Sequence, residues 1–119
     1  MFTPAVRATT IKLKREERVL EVAFTDGTAC RLPAELLRVE SPSAEVQGHS
    51  PSQKQIVAGK SQVGITTIEA VGNYAIRLLF DDGHDSGIFT WTYLHQLGHN
   101  HERIWADYLA NLARQGLSR

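Results

Sequence analysis

Apolar and polar residues alternate along the first third of the chain, which predicts a three-stranded antiparallel meander. Ile11 and Leu13 alternate with lysines, and Cys30 and Leu32 lie two positions apart on one face of a later segment. A period of two is typical of a strand that packs one face on a core. Short charged or glycine-containing turns separate the segments. The predicted strands cover residues 9–14, 18–24 and 28–32.

A short helix and a long loop are predicted next. Pro33 suits the first turn of a helix, which the residues up to Arg38 continue. From Glu40 to Gly64 the chain is rich in Ser, Pro, Gln, Gly and Lys. A connection of this length is usually functional or mobile. We expect this loop to have few apolar anchors in its middle and to be the most mobile internal segment.

The second half of the chain repeats the strand pattern and ends in helices. Tyr74 is two residues before Ile76 in the alternating run that leads to Phe80, so we expect all three to face the core. The helical pattern after Trp91 should stop at Gly98, Asn100 should cap the last helix, and Trp91 and Trp105 should be mostly buried. The predicted elements are strands 65–71, 74–80 and 87–90 and helices 93–97 and about 100–115.

These elements predict an α+β fold, in which an antiparallel sheet of about five or six strands carries a short helix after the third strand and C-terminal helices packed on it. The 119 residues form a single domain, 1–119, large enough to bury a core without disulfides or metals. The composition is that of an ordinary globular domain, with 42% apolar and 22% charged residues. No signal peptide or membrane span is recognisable, and the single Cys30 agrees with a reducing compartment, so we expect a cytoplasmic protein.

The net charge is zero, because thirteen basic and thirteen acidic side chains cancel. The chain as a whole therefore has no general attraction to nucleic acids or anionic membranes. His95, His99 and His101 are close in sequence, but Gly98 and Asn100 interrupt the helix that a two-histidine metal site needs. Cys30 is a core residue or, less favoured, a reactive thiol.

The acidic turn after the fifth strand contains Asp81, Asp82, His84 and Asp85. These carboxylates lack the spacing of a calcium loop, and turn formation explains them better. The G-x-S-x-G pattern of a nucleophile elbow does not occur. Gly59-Lys60-Ser61 is not a phosphate loop, because the glycine required five residues before Gly59 is replaced by Lys54. The residues alone therefore contain no recognisable catalytic constellation.

Two blocks, LPAELLRVESPSAEVQGH and IEAVGNYAIRLLFDDGHDSGIFTWTYLHQLG, resemble the gamma-butyrobetaine hydroxylase-like N-terminal domain family, a bacterial domain of unknown function. The resemblance covers roughly residues 9–98 and implies a small α+β fold on an antiparallel sheet. In the hydroxylases this domain precedes an iron and 2-oxoglutarate dependent catalytic domain. That catalytic domain has no counterpart in the sequence.

The resemblance also implies a zinc site, built from C-x-C-x-x-C and a later histidine. The corresponding positions in this chain are Ser41, Ser43, Val46 and His84. Serine is a poor zinc ligand at neutral pH and valine is none, so we expect the family's zinc to be absent and no cofactor to replace it. His84 would then remain as a turn residue, and hydrogen bonds from Ser41, Ser43 or the backbone of the segment 41–46 would hold the junction.

Three functions remain open at this point. The first is a non-enzymatic module that binds an unidentified protein partner through the long loop and the acidic turn, with Glu40, His49, Asp82, His84 and Asp85 as the candidate interaction surface. The second is an accessory to a 2-oxoglutarate oxygenase or iron-sulfur system, a role that the resemblance suggests, with transient metal binding through His84, His49 and nearby carboxylates. The third and least favoured is acid-base catalysis by Asp82, His84 and Asp85.

Overall fold

The computed structural model of the protein describes residues 6–48 and 54–119. Their strands and helices confirm the predicted α+β class. The strands are β1 (Ala8–Lys14), β2 (Val19–Phe24), β3 (Ala29–Pro33), β4 (Ile65–Val71), β5 (Ala75–Phe80) and β6 (Ile88–Thr90). The helices are α1 (Ala34–Val39), α2 (Ala44–Gln47), α3 (Trp91–His99) and α4 (His101–Arg114).

The strands form two separate antiparallel sheets of three strands each, in the orders β1-β2-β3 and β4-β5-β6. Each sheet is a meander, because each strand is close enough in sequence to pair with the next. The register shifts once in each sheet, between Ala8 and Thr10 in β1 and between Ile65 and Thr67 in β4. The helices α1 and α3 both pack against β3.

The core lies where the inward faces of both sheets meet the helices, and alternation predicted most of it. In β5, Ile76, Leu78 and Phe80 are buried as expected. Tyr74 is 54% exposed, so its predicted inward orientation is wrong, because β5 begins only at Ala75. The largest fully buried side chains include Phe89, Leu20, Leu32, Leu36, Leu37, Leu78, Leu94 and Leu97.

Both tryptophans lie at the margin of the core rather than in its centre. Trp91 and Trp105 are partly exposed and pack against the buried cluster. The indole N–H of Trp91 donates to the backbone carbonyl of Asn73 at 2.8 Å. Trp105 contacts the ring of Tyr108, and the guanidinium of Arg119 lies 5.3 Å from its ring centroid.

The described part of the long loop is anchored more firmly than the sequence indicates. The short helix α2 lies near the beginning of this loop. Ile56, Val57 and Ala58 pack against a second apolar cluster that includes Tyr108, whose hydroxyl donates to the carbonyl of Val57 at 2.6 Å. Val63 is buried in the main core. The expectation of few apolar anchors is therefore wrong for residues 54–64.

The helix α3 continues through Gly98, where a stop was predicted, and ends at His99. Gly98 instead allows a close approach to the sheet, because an added Cβ would lie 2.7 Å from the sulfur of Cys30. Asn100 separates the last two helices as predicted, but its side chain donates to the carbonyl of Gln96 and does not cap α4. Among the described residues, no helix has both the length and the apolar character needed to cross a bilayer.

Candidate functional site

The turn after β5 directs the imidazole of His84 into the protein. The backbone N–H of His84 donates to a carboxylate oxygen of Asp82 at 3.1 Å, and its carbonyl accepts from the N–H of Phe80 at 3.0 Å. Gly83 has a φ of 90°, a conformation that glycine adopts without strain. His84 is 6% exposed as a result.

Two serine hydroxyls meet this imidazole. The Oγ of Ser41 lies 2.9 Å from Nε2 of His84, and the Oγ of Ser43 lies 3.3 Å from the same atom. Ser41 also accepts a hydrogen bond from the backbone N–H of Ser43 at 3.4 Å. All three side chains are buried, and so is Val46 on α2. His84 is thus bonded to the side chains of Ser41 and Ser43, which is one of the two predicted ways of holding this junction.

Glycine at position 87 makes this contact possible. A Cβ at Gly87 would lie 2.4 Å from the Oγ of Ser41 and 3.0 Å from the ring of Phe89. The first distance is too short for a real Cβ and the second is tight, so any larger residue would push Ser41 away from His84. The polar cluster of Ser41, Ser43 and His84, called here the hydroxyl–imidazole cluster, therefore depends on the close approach of the backbone at Gly87, just before β6.

The hydroxyl–imidazole cluster does not suit zinc. Zinc sites in proteins use thiolate, imidazole and carboxylate ligands, and the cluster offers one imidazole with two hydroxyls. Val46 has no ligand atom. Among residues 6–48 and 54–119, no group of three or more His, Cys, Asp or Glu side chains is placed to hold a metal ion. What this arrangement can do is satisfy buried polar groups and join two segments.

A second polar contact joins the same region on its solvent side. One carboxylate oxygen of Asp82 accepts from Nε of Arg38 at 2.8 Å and lies 2.7 Å from Nζ of Lys60. Burial by itself would raise the pKa of Asp82, but hydrogen bonds from Lys60, the backbone of His84 and Arg38 outweigh it and lower the pKa to about 2. Asp82 thus joins α1, the long loop and the turn.

The other candidate surface residues are divided between interior and solvent. Glu40 is buried, its carboxylate pairs with Lys54, and its backbone carbonyl accepts from the hydroxyl of Tyr93 at 2.5 Å. Burial, together with the charge of Glu40, raises the pKa of Tyr93 to about 12. The side chain of Asp85 is 60% exposed. His49 lies outside the described residues. The four described residues of this set therefore do not form one accessible surface, because Glu40 and His84 are buried.

The remaining chemical candidates have structural partners. Cys30 is half-buried, and burial raises the pKa of its thiol, which lowers the fraction of reactive thiolate at neutral pH. Nε2 of His95 lies 2.8 Å from a carboxylate oxygen of Asp26 and joins α3 to the turn before β3. Hydrogen bonds from the side chain and backbone of Thr28, then His95, lower the pKa of Asp26 to about 2, although burial opposes them.

Sequence reasoning missed Arg38 and Lys60 as the partners of Asp82, and Tyr93 as the partner of Glu40. Each pair is far apart in sequence, so no local pattern indicates it. The sequence gives one weak indication that Glu40 is buried, because Glu40 directly follows the apolar residues of α1. The connection of the two serines with His84 was identified only through the family resemblance.

Comparison with known proteins supports that resemblance. The family model described as gamma-butyrobetaine hydroxylase-like, N-terminal, matches residues 11–95. Two structures solved by NMR are 46% and 45% identical, each with a TM-score of 0.84, and the matches cover 98% and 100% of this chain and 91% of each neighbour. A comparison with curated proteins gives no match.

A crystal structure from Acidithiobacillus ferrooxidans ATCC 23270 is also similar, with 42% identity and a TM-score of 0.66. The match covers 77% of this chain and 92% of that one, which is described as a protein with unknown function of the DUF971 family. The family model spans well over half of this chain. The chain therefore belongs to the gamma-butyrobetaine hydroxylase-like N-terminal domain family.

Proposed function

We propose that this chain is a non-enzymatic module that binds another protein in the cytoplasm. The observation that carries the proposal is the exposure of Tyr74, an aromatic side chain that is 54% accessible beside the partly exposed Trp91. Tyr and Trp are enriched among the residues that dominate the energy of protein interfaces. The cytoplasmic location rests on the single Cys30 in the given sequence.

Tyr74 and Trp91 line one cleft of about 380 Å³. The backbone fixes their arrangement, because the N–H of Trp91 donates to the carbonyl of Tyr74 at 3.0 Å. Its indole is further held by the bond to Asn73. A rigid aromatic side chain loses little conformational freedom on binding, so the cleft is preorganised for a partner. The other residues that line it are Val6, Arg7, Asn73, Thr90 and Thr92.

The titratable groups support a structural rather than a catalytic role. The imidazole of His84 is enclosed with two hydroxyls, and the carboxylate of Asp82 is bound by two cations. Glu35, also buried, forms a bidentate pair with Arg119 at 2.6 and 3.0 Å. A general acid or base must reach its substrate, and these groups are committed to partners within the fold.

The alternative role, an accessory to an oxygenase or iron-sulfur system with transient metal binding, has one favourable observation. Nε2 of His84 faces Ser41 and Ser43, which stand at the positions of family zinc ligands. A metal ion at this atom would have to displace both hydroxyls from a buried site. We therefore favour protein binding.

The test is comparative capture from lysate of the native cell, with immobilised full chain and mass spectrometry. Tyr74→Ser should lose the partner that the unmodified chain retains. Leu109→Ser is the matched control, because Leu109 is a similarly exposed apolar residue on α4, and it should retain the partner. Enrichment of no protein over bare beads, or equal capture by all three chains, would overturn the proposal.

A further inference from the structure

We propose that Glu35 and Trp105 form a binding site for an arginine side chain of a partner protein, and that Arg119 of the same chain occupies this site until the partner displaces it. A ligand that competes with a built-in occupant shifts the population toward the open site. The site uses none of the residues that line the Tyr74 cleft. The inference therefore goes beyond the proposed function, and the two can fail separately.

The charge of the site comes from Glu35, in the first turn of α1. Its side chain is 7% exposed, and its two carboxylate oxygens accept from Nη2 and Nε of Arg119 at 2.6 and 3.0 Å. The next acid along the chain, Glu40, has a cation of its own, Lys54. A buried carboxylate that loses its cation is strongly unfavourable. Departure of Arg119 would therefore leave a site that requires another cation.

The shape of the site selects a guanidinium group among cations. The guanidinium carbon of Arg119 lies 5.3 Å from the ring centroid of Trp105, whose indole also contacts the ring of Tyr108 at 5.1 Å. A guanidinium is planar, so it can donate to both oxygens of one carboxylate and stack on an aromatic ring at the same time. The ammonium of lysine is a point charge and cannot make this pair of contacts.

A backbone bond next to the site favours an arginine within a peptide over the free amino acid. The N–H of Gly59 donates to the carbonyl of Ser118 at 3.1 Å. This carbonyl belongs to the residue before the arginine, and free arginine has no such group. A segment of a partner that places a peptide carbonyl before its arginine can make the same bond, because it requires no particular side chain.

The occupant is attached more weakly than the site itself. Residues 115–119 are exposed and follow the end of α4, and the side chain of Arg119 is 52% exposed. By contrast, Glu35 is buried on α1, and Trp105 packs against the main core. Segments with few buried contacts open at a low cost in free energy. Arg119 can therefore leave while Glu35 and Trp105 stay in position for a ligand.

The test uses the Arg119→Ala chain labelled with ¹⁵N and the capped peptide acetyl-Gly-Leu-Ser-Arg-amide, the sequence of residues 116–119. We expect the peptide to shift the indole N–H signal of Trp105 and to raise the melting temperature, while the indole signal of Trp91 stays in place as an internal reference. The unmodified chain should bind the peptide about tenfold more weakly, because Arg119 occupies its site.

Ligand variants separate a guanidinium site from a general attraction to cations. The same peptide with lysine in place of arginine should bind Arg119→Ala about tenfold more weakly or worse. Argininamide, which lacks the preceding carbonyl, should also bind more weakly than the peptide. Equal binding of the arginine and lysine peptides would contradict the proposed site.

Protein variants identify the groups that bind. In the Arg119→Ala background, Glu35→Gln keeps the size of the side chain and removes its charge, so the affinity should fall about tenfold or more. Glu69→Gln is the matched control, because Glu69 also pairs with an arginine, Arg77, but on the exposed strand β4. It should bind the peptide like Arg119→Ala alone.

A further variant keeps the test decisive if Arg119→Ala does not fold. Arg119→Lys retains a cation beside Glu35 but forms a weaker contact, so this chain should bind the arginine peptide more tightly than the unmodified chain does. Tyr74→Ser in the same background should leave peptide binding unchanged, which keeps this result separate from the capture experiment.

Four results would overturn the proposal. The first is an unchanged Trp105 signal in the folded variant with the peptide at about 10 mM, beyond the range of specific binding. The second is equal affinity with and without the Glu35 carboxylate. The third is loss of peptide binding in Tyr74→Ser, which would place the peptide on the Tyr74 cleft. The fourth is a Trp105 signal that shifts with protein concentration alone, which would assign the site to Arg119 of a second copy.

Discussion

The Oγ of Ser41 lies 2.9 Å from Nε2 of His84, although the two residues are 43 positions apart and both are buried. This contact joins the segment after α1 to the turn after β5. In the family pattern, the positions of Ser41, Ser43 and His84 belong to zinc ligands. We propose that hydrogen bonds hold this junction in the present chain and that no metal ion is needed for it.

The first prediction concerns Gly87. Gly87→Ala would place a methyl group 2.4 Å from the Oγ of Ser41, so the free energy of unfolding should fall by about 1–3 kcal/mol, as for overpacked cores. Denaturant unfolding measures the change. Gly64→Ala is the control, since its Cβ would meet only the exposed Asp81 at 3.1 Å. Equal losses in both variants would show that the contact with Ser41 is not under steric constraint.

The fold was largely predictable from the sequence because alternation is a local signal. The strands around Leu20 and Leu78 follow it directly, and both residues are fully buried. Tyr74 was misassigned because an alternating pattern does not show where a strand begins. Gly98 was misassigned because a glycine that ends a helix and one that permits close packing on Cys30 look alike in sequence.

The site was less predictable, because its contacts join distant segments. Nothing in the sequence around Asp82 indicates that Arg38 and Lys60 will bind its carboxylate. The burial of Glu40 similarly depends on Tyr93, a residue of α3. Only the family resemblance connected Ser41 with His84, since it supplied a long-range constraint that composition and spacing lack.

The second prediction concerns acid stability. The pKa of Asp82 is lowered in the folded protein to about 2, so the unfolded state binds the proton more tightly. The stabilisation is complete above the unfolded pKa near 4 and is lost as the pH falls toward 2. With allowance for solvent screening at this turn, we expect a loss of about 1 kcal/mol in unfolding free energy between pH 5 and pH 2 from this group.

Asp82→Asn should remove this component of the acid dependence, which urea unfolding at several pH values would detect. Asp85→Asn is the control, because the Asp85 side chain is 60% exposed and its nearest cation, Arg77, is 4.0 Å away. If Asp82→Asn has the same pH profile as the unmodified chain, the contacts with Arg38 and Lys60 do not persist in solution.

The third prediction concerns metal content. We expect the purified protein to contain no stoichiometric zinc, and a chelator should leave its melting temperature unchanged, because Ser41, Ser43 and Val46 supply no thiolate. Elemental analysis and thermal unfolding are the measurements. A positive control is the triple variant Ser41→Cys, Ser43→Cys and Val46→Cys, which should bind zinc with His84 and melt at a higher temperature.

Stoichiometric zinc in the unmodified chain would contradict the predicted loss of the site. Failure of the triple variant to bind zinc has a different meaning. It would show that Val46 on α2 is not placed as the family pattern requires, and the assignment of the ligand positions would then be wrong.

The most direct test of the hydroxyl–imidazole cluster is a double-mutant cycle, measured by denaturant unfolding in the presence of chelator. It compares the unmodified chain, Ser41→Ala, His84→Ala and their double variant, and the control cycle replaces Ser41 by the exposed Ser86. We expect a coupling energy of about 1 kcal/mol between Ser41 and His84, and none between Ser86 and His84. Losses for Ser41 and His84 that add to within about 0.3 kcal/mol would contradict it.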